Sequence, residues 1–404
     1  MHASHIVARV LGCVQDLMHA SRWRALHDVV GASVGGAPLS LTGLALHTAR
    51  STIVRHRVKC VDRLLGNTHL GVERQALYAA LARQWLSGLP QLLIVVDWSS
   101  LTADLRWHWL RASVVVEGRS LTLYEEVHPR CHLGNFQVHR RFIDRLAMVL
   151  PASSVPPIVM TDAGFRNPWF RLIAQRGWCW IGRIRNRDFV RQTPQQAWFP
   201  AKQLYRRASA RAHDLGAYDT VRNNPLACRL VLIKNPPKGR KCHYPSGMQK
   251  RNTPMRKIAL RNREPWLLSC SGQLDHLSAQ SIVKLYAQRM RIEQQFRDTK
   301  NAALGMGLSR SRSAGAERLQ ALLLIAHIAQ LVLRLIGEAA KAHQLELQLM
   351  STGRKDRAEI SVMTLARRIL ADAALRRRLV DPWCYLQTLR EQATNAINHA
   401  VLST

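Results

Sequence analysis

Apolar residues in the first 88 positions recur at the spacing of amphipathic helices, so we predict that residues 1–88 are helical. Residues 51–67 show the pattern most clearly, since their apolar positions repeat at intervals of four, three and four. Those positions are Val54, Val58, Val61 and Leu65. Ser51 is placed to cap the start of this helix, and Gly66 is placed to end it.

The opposite face of the same helix is basic. Arg55, Lys59 and Arg63 project from it, and a shorter helix in the segment SLTGLALHT precedes it. A short helix followed by a longer basic one resembles a helix-turn-helix, so we predict that these three side chains contact DNA. An ordinary amphipathic pair with a solvated basic face would show the same pattern.

Beyond residue 90 the helical spacing gives way to short apolar runs that are typical of strands. QLLIVVD is a buried strand that ends in Asp97, and ASVVVEGRSLTLYEEV is a hairpin that turns at Gly118. A helix over 136–150 leads to a second buried strand, IVMTDAGF, which ends in Asp162. A helix near 167–176 and the strand WCWIGRI complete the unit.

This order of three strands, helix, strand, helix and strand resembles the ribonuclease-H-like fold, so the predicted fold class is α/β. In that fold the first and fourth strands lie side by side, which would bring Asp97 and Asp162 together. Residues 184–262 break the alternation, and 234–257 contain eight Lys or Arg and no acid, as expected of a loop. Apolar helices follow to about residue 348, and a basic helical tail continues to the end.

Composition adds a strong positive charge to this picture. The chain has 404 residues, with 59 Lys and Arg against 26 Asp and Glu, and a formal net charge of +33. Such an excess favours nucleic acid as a partner, because each neutralised phosphate releases counterions. The eight cysteines lack paired spacings, which fits a reducing cytosol. The apolar run from Leu319 to Leu333 is short for a bilayer span of about 20 residues, so we predict a buried helix and no membrane.

A helix predicted to begin after the capping residue Ser278 carries an unusual stripe. Wound at about 100° per residue, it places one phenol, one carboxylate and two cations within roughly 60° of one another. These are Tyr286, Arg289, Glu293 and Lys300. A solvated face would be broader and would need no such register. The two cations indicate a phosphate site, with Lys300 reaching a phosphate farther out.

Asp97, Asp162 and Glu293 would form a cluster of acids at one edge of the sheet. Three carboxylates that gather in this way repel one another unless cations lie between them. Mg²⁺ suits such a site, since it binds through a few carboxylates, water and phosphate oxygens. Two such ions about 4 Å apart, with Mn²⁺ as a substitute, activate a water or a 3′-hydroxyl for in-line attack at phosphorus.

The spacing Tyr286-x2-Arg289-x3-Glu293-x6-Lys300 resembles the signature of the IS-four family of bacterial DDE transposases. The likeness extends over nearly the whole chain, through segments such as KCVDRLLGN, VVDWS, TDAGFRNPWF, EPWLL and RMRIEQQFRDTK. It implies that the three acids are the catalytic triad and the metal ligands. Residues 184–265 would then be a β-rich insertion within a ribonuclease-H-like catalytic fold.

The resemblance also implies a domain order and two further site residues. A helical DNA-end-binding domain would occupy residues 1–88, a catalytic domain 89–335 and a helical C-terminal region 336–404. Enzymes of this type form hairpins at the cut ends, and a tight hairpin needs a base removed from the stack. Trp266, in the EPW motif, would stack that base, and Met290 would be the wedge that pushes into the helix.

The activity implied by the resemblance is cut-and-paste transposition. The protein would bind the terminal inverted repeats of its element, pair them as a homodimer, cut through hairpins and join the 3′ ends to target DNA. We therefore expect double-stranded DNA as a partner and a bacterial cytoplasmic, nucleoid-associated location. Two alternatives stay open: a repressor-like DNA-binding protein without catalysis, and a stand-alone metal-dependent nuclease. A pure binder does not need the three acids, and a nuclease does not need Trp266.

Overall fold

The computed structural model describes residues 3–236, 264–350 and 360–402. Most of the basic segment predicted to be a loop, 234–257, lies outside these residues. The chain divides into two compact units. Unit 1 contains Met1–Val155 and Met290–Ala396, and unit 2 contains Pro156–Arg289 and Ile397–Thr404.

The N-terminal region of unit 1 is helical, as predicted. Its α-helices are α1 (Ala3–Gly12), α2 (Ala20–Val34), α3 (Leu41–His47), α4 (Val54–Leu65) and α5 (Thr68–Leu86). Polar side chains fix several of their starts. Ser40 accepts a hydrogen bond from the backbone N–H of Gly43 at α3, and Asn67 accepts one from Leu70 at α5.

The prediction that Ser51 caps α4 is wrong, whereas the predicted end at Gly66 is confirmed. The helix begins at Val54, and Ile53 holds the N-cap position without a side-chain hydrogen bond. Because the backbone is still outside the helix at Ile53, Ser51 lies too far upstream to reach the N–H groups of the first turn. At the other end, the N–H of Gly66 donates to the Asp62 carbonyl.

An antiparallel sheet follows in unit 1. Its strands are β1 (Leu93–Ser100), β2 (Trp107–Val116) and β3 (Arg119–Pro129), with β2 in the middle. The predicted turn at Gly118 is confirmed, and its φ of 67° lies in the left-handed region that favours glycine. The predicted end of β1 at Asp97 is wrong, because pairing with β2 continues to Ser100. Asp97 is therefore held inside a hydrogen-bonded ladder.

Unit 2 begins with a parallel pair at the predicted places. The pair is β4 (Ile158–Thr161) and β5 (Cys179–Ile184), with α7 (Asn167–Gln175) between them; α6 (Phe136–Val149) precedes them in unit 1. The segment predicted to be β-rich holds β6 (Phe189–Arg191), β7 (Phe199–Pro200), β8 (His213–Thr220) and β9 (Leu226–Ile233). β10 (Trp266–Cys270) and α8 (Ala279–Ala287) follow. Within unit 2 the strand order is β4-β5-β10-β9-β8-β6-β7.

The single helix predicted over 278–300 is wrong, although its predicted cap, Ser278, is confirmed. The chain forms α8 and then α9 (Met290–Lys300), with a turn at Gln288 and Arg289. The N–H groups of these two residues donate to carbonyls three residues back, on Leu285 and Tyr286, instead of four. This tightening ends α8. The stripe of four functional side chains is consequently shared between two helices and their connection.

The remaining helices of the described chain are α10 (Ala316–Ala342), α11 (Val362–Ala371), α12 (Ala373–Arg378) and α13 (Leu386–Val401). By length and composition α10 could cross a membrane, but 94% of its apolar stretch is buried inside the protein. It packs against β3, α2 and α11 in unit 1. The prediction of a buried helix here is confirmed, and α10 is the core element of unit 1.

Candidate active site

Asp97 begins a row of charged residues that crosses the sheet of unit 1. Its cross-strand partner in β2 is Arg111, whose partner in β3 is Glu125. Directly opposed residues on antiparallel strands share a face, so acid, base and acid alternate along this row. Arg111 is fully buried, and its Nε donates to Glu125 Oε2 at 2.7 Å. Asp97 is half-buried, and its Oδ1 accepts from the N–H of Trp98 at 2.8 Å.

The helix α9 packs against this sheet and brings Glu293 to the strand that carries Asp97. Ser99 lies two residues beyond Asp97, so both side chains point to the same face of β1. Ser99 and Glu293 line one open cleft of about 460 Å³. The other lining residues are Phe296, Arg297, Lys300, Asn301 and Ser309. Unit 1 therefore places one predicted catalytic acid, and the strand of a second, beside an open cleft.

Lys300 is held firmly at this cleft. Its Nζ donates to Ser99 Oγ at 2.8 Å and lies 5.6 Å from the ring centre of Trp109 and 5.8 Å from that of Phe296. Burial, and secondarily the charge of Arg111, lowers the pKa of the Lys300 ammonium. A half-buried cation above two rings has lost part of its water shell. The bond to Ser99 is the hydrogen bond that the structure gives its ammonium group.

Asp162 belongs to unit 2, where it directly follows β4 as predicted. Its Oδ1 accepts a hydrogen bond from the N–H of Gly164 at 2.7 Å, and its own carbonyl accepts one from Phe165. A Cβ at position 164 would lie 2.9 Å from that same Oδ1. The tight loop after β4 thus orients the carboxylate, and only glycine at 164 leaves it undisturbed.

Trp266 and Tyr286 lie together in unit 2. Trp266 is the half-buried first residue of β10, and its ring meets the Tyr286 ring edge-on, with centroids 5.3 Å apart and planes at 80°. Tyr286 is only 3% exposed. Arg289 lies in the turn after α8, and Met290 is the first residue of α9. The rings of Trp266 and Tyr286 are therefore in direct edge-to-face contact.

The predicted DNA-contacting residues on α4 are all exposed, and none of the three forms an ion pair with another described residue. Lys59 and Arg63 line a cleft of about 760 Å³ in unit 1. Arg55 is on the same helix but does not line this cleft. Lys59 and Arg63 therefore belong to this cleft and Arg55 does not, although all three lie on one face of α4.

The comparisons with known proteins settle the family. The family model described as "Transposase DDE domain" matches residues 88–331, which is more than half of the chain. The chain belongs to the DDE transposase family. It is therefore a transposase, an enzyme that cleaves and rejoins DNA phosphodiesters. No curated protein matches this transposase.

Among the solved structures that resemble the transposase is one with a weak overall match. It is titled as the cryo-EM structure of a piggyBac transposase synaptic complex with hairpin DNA. The identity is 12% and the TM-score is 0.43, with coverage of 95% of this chain and 77% of that chain. The architecture itself is mixed α/β, with strands and helices in both units.

DDE transposases generally depend on divalent metal ions. The donor set predicted here fits such ions chemically, since carboxylate oxygens are the protein ligands that Mg²⁺ prefers. Asp97, Asp162 and Glu293 are each half-exposed and so accessible to a hydrated ion. Among the residues that the structure describes, no group of three or more His, Cys, Asp or Glu side chains is arranged to hold a metal ion. The assignment of the three acids as ligands stays a prediction.

The sequence reasoning missed the residue that anchors α9 in the transposase. Gln295 is buried, and its Oε1 accepts from Ser113 Oγ at 3.0 Å and from Ser120 Oγ at 2.9 Å. Its Nε2 donates to Thr122 Oγ1 at 2.9 Å and to Gln330 Oε1 at 3.2 Å. All four side-chain hydrogen bonds of an amide are thereby made. The sequence shows two glutamines, Gln294 and Gln295, between Glu293 and the apolar Phe296, and nothing in it singles out the second.

Proposed function

We propose that this transposase belongs to the IS-four group and moves its element by a cut-and-paste route. The support is the spaced set Tyr286, Arg289, Glu293 and Lys300, together with the EPW motif. In this proposal the motifs resemble those of the transposase of the insertion sequences that flank transposon ten. The proposal includes a ribonuclease-H-like catalytic core, to which the order of β1 to β5 and their helices corresponds.

The observation that carries the proposal is the cleft of unit 1 beside α9. Glu293 and Lys300 line it together with Ser99, and Asp97 points to the same face of β1 as Ser99. In this proposal Asp97, Asp162 and Glu293 would hold two Mg²⁺ or Mn²⁺ ions. Such ions would supply activation of a water or a 3′-hydroxyl and stabilisation of the leaving oxygen.

The protein side chains then have separate roles in the proposal. Lys300 gives up its bond to Ser99 and binds a phosphate of the DNA end as a point charge. Arg289 grips a phosphate near the scissile bond through its guanidinium fork. Trp266 stacks an extruded base while Tyr286 supports its ring, and Met290 fills the space that the base leaves.

The partners in the proposal are double-stranded DNA ends with terminal inverted repeats, and target DNA. The net charge of +33 supports a polyanionic partner. From the resemblance to the IS-four family we also propose that two copies of the chain pair the ends as a homodimer in the synaptic complex. The working location would be the bacterial cytoplasm, at the nucleoid.

A cleavage assay with the element's own end tests this proposal. The purified chain is incubated with Mg²⁺ and a labelled duplex that carries the end, and the products are resolved on denaturing gels. A nick should appear first and a hairpin second. Glu293→Ala should keep binding to the end and lose both products, because it removes a proposed metal ligand at the cleft.

Glu391→Ala is the matched control, since Glu391 is an exposed glutamate on α13, and it should cut like the wild type. Cleavage by Glu293→Ala would overturn the catalytic assignment. Binding without any nick by the wild-type chain would favour the repressor-like alternative. A nick with no hairpin would favour the stand-alone nuclease.

A further inference from the structure

A basic cleft in unit 1 lies between α2 and α4, away from the proposed catalytic cleft. Its volume is about 760 Å³. Its charged lining residues are Arg22 and Arg24 from α2, Arg50 before α4, and Lys59 and Arg63 from α4. The sequence pattern assigned only the last two to DNA, and nothing in it linked them to α2.

The fold itself neutralises two of these cations. Arg22 makes a two-pronged ion pair with Glu73 of α5, and Arg50 pairs with Asp28 of α2 through an Nε–Oδ2 contact. The carboxylate of Asp28 raises the pKa of Arg50 through this hydrogen bond. Both arginines therefore serve the structure of the helical region.

The other three cations are left with their charge uncompensated. Arg24, Lys59 and Arg63 are exposed, and within the described chain none of them pairs with a carboxylate. Arg24 makes only a long bond to the Ala20 carbonyl, at 3.4 Å. The one acidic residue of α4, Asp62, is engaged by Arg318. Three cations that converge on one concave surface focus a positive potential there.

The volume of the cleft suits an extended polyanion better than a small anion. One phosphate group has only a few times the volume of a water molecule, about 30 Å³, so it would fill a small part of the space. Leu64 and Ala25 also line the cleft, although each is almost fully buried. A run of consecutive phosphates matches both the volume and the three separate cations.

We propose that this cleft holds a stretch of DNA phosphate backbone, gripped by Arg24 from α2 together with Lys59 and Arg63 from α4. The proposal rests on the DNA-binding function proposed above and extends it to α2. These contacts carry no base sequence information, because they involve phosphates alone. They position the duplex next to α4, whose remaining exposed face stays available for the grooves of the DNA.

The test measures binding of the full-length chain to two labelled duplexes, one with the element's end and one unrelated. Fluorescence anisotropy over a salt series gives the slope of log affinity against log salt concentration. Arg24→Ala, Lys59→Ala and Arg63→Ala should each reduce the slope by about 0.9, the value for one lost phosphate contact. Each should weaken both duplexes equally, by about threefold to tenfold.

Two controls make the result specific to the cleft. Arg141→Ala removes an equally exposed arginine from α6, outside the cleft, and should leave slope and affinity unchanged. Arg24→Lys keeps the charge and should restore most of the slope. Melting curves of all variants should match the wild type, since these side chains are exposed. An unchanged slope in the Arg24→Ala variant would overturn the proposal.

A second arm distinguishes a site for small anions. Inorganic tripolyphosphate is added during melting of the wild type and of Arg24→Ala. Tripolyphosphate could raise the melting temperature of the wild type alone while the two proteins bind DNA with equal affinity. That result would indicate a small-anion site and would overturn the proposal. The cleavage assay with Glu293→Ala does not depend on the DNA affinities or salt slopes of the cleft variants. A wrong catalytic assignment and a wrong assignment of the basic cleft can therefore be told apart.

Discussion

The amide of Gln295 offers the sharpest test of how unit 1 is held together. Replacing it by leucine in Gln295→Leu keeps a similar size and removes the groups that bond to Ser113, Ser120, Thr122 and Gln330. The two serine hydroxyls lose their acceptor inside a buried region, and Thr122 and Gln330 each lose a donor.

The cost follows from the buried groups left without partners. An unsatisfied buried polar group costs about 1–3 kcal/mol, so two stranded hydroxyls and two weakened groups cost about 4 kcal/mol in total. For a domain of this size about 1 kcal/mol lowers the melting temperature by roughly 2–4 °C, so we expect a drop of roughly 8–16 °C. The loss of about 4 kcal/mol compares with a free energy of unfolding of about 5–15 kcal/mol for a typical domain, so the variant should lose about half of its stability.

The assay is thermal and urea unfolding of the full chain, with Gln294→Leu as the matched control. Gln294 is the preceding residue on α9 and is partly exposed, so the same change there should stay within about 0.5 kcal/mol. Combining Gln295→Leu with Ser113→Ala and Ser120→Ala should recover stability, because the stranded hydroxyls are then gone. Equal losses at 294 and 295, or no recovery in the combined variant, would refute this reasoning.

Three more predictions address pH, the loop after β4 and the hairpin step. Burial, then the charge of Arg111, lowers the pKa of His327 from 6.5 to about 3, so the folded state holds this imidazole neutral. As the pH falls through 6.5, His327 takes up a proton in the unfolded chain but stays neutral in the folded chain. The free energy of unfolding should therefore fall by about 2–3 kcal/mol between pH 7 and pH 4.5. Urea titrations of His327→Gln should show a loss smaller by that amount, and identical pH profiles would contradict the assignment. Gly164→Ala should turn the Asp162 carboxylate, because the added Cβ would lie too close to it. The Mg²⁺ concentration needed for half-maximal cleavage should rise, while the melting temperature stays close to that of the wild type. An unchanged Mg²⁺ dependence would argue against a role for this loop. Trp266→Ala should leave the first nick and reduce hairpin formation by about tenfold or more, since base stacking contributes about 1–3 kcal/mol, and equal effects on both steps would speak against stacking.

Local pattern was sufficient for most of the individual elements. The hairpin around Gly118 and the strand before Asp162 follow from runs of β-branched residues and from a glycine at the turn. The structure confirms the turn, with a φ of 67° at Gly118. Ser278 caps α8 as its position suggested. These features depend on interactions within a few residues, which the sequence contains explicitly.

Local pattern failed where the backbone had a choice between similar conformations. The residues before Met290 read as a continuous helix, yet the ladder ends with bonds to carbonyls three residues back. A 3₁₀-type turn differs little in energy from one more α-helical turn, so packing of each helix in its own unit decides. The start of α4 at Val54 and the extension of β1 to Ser100, which is paired with His108 of β2, were also not predicted.

The sequence by itself determined the chemistry available to this transposase: the acids, the spaced cations and the excess of positive charge. Only the tertiary structure decided which of them meet. It seated Glu293 and Lys300 on the sheet through the buried amide of Gln295, and it joined Arg24 to the basic face of α4. The reason is physical: contacts between residues far apart in the chain depend on how helices and strands pack, and spacing along the sequence carries no record of that packing.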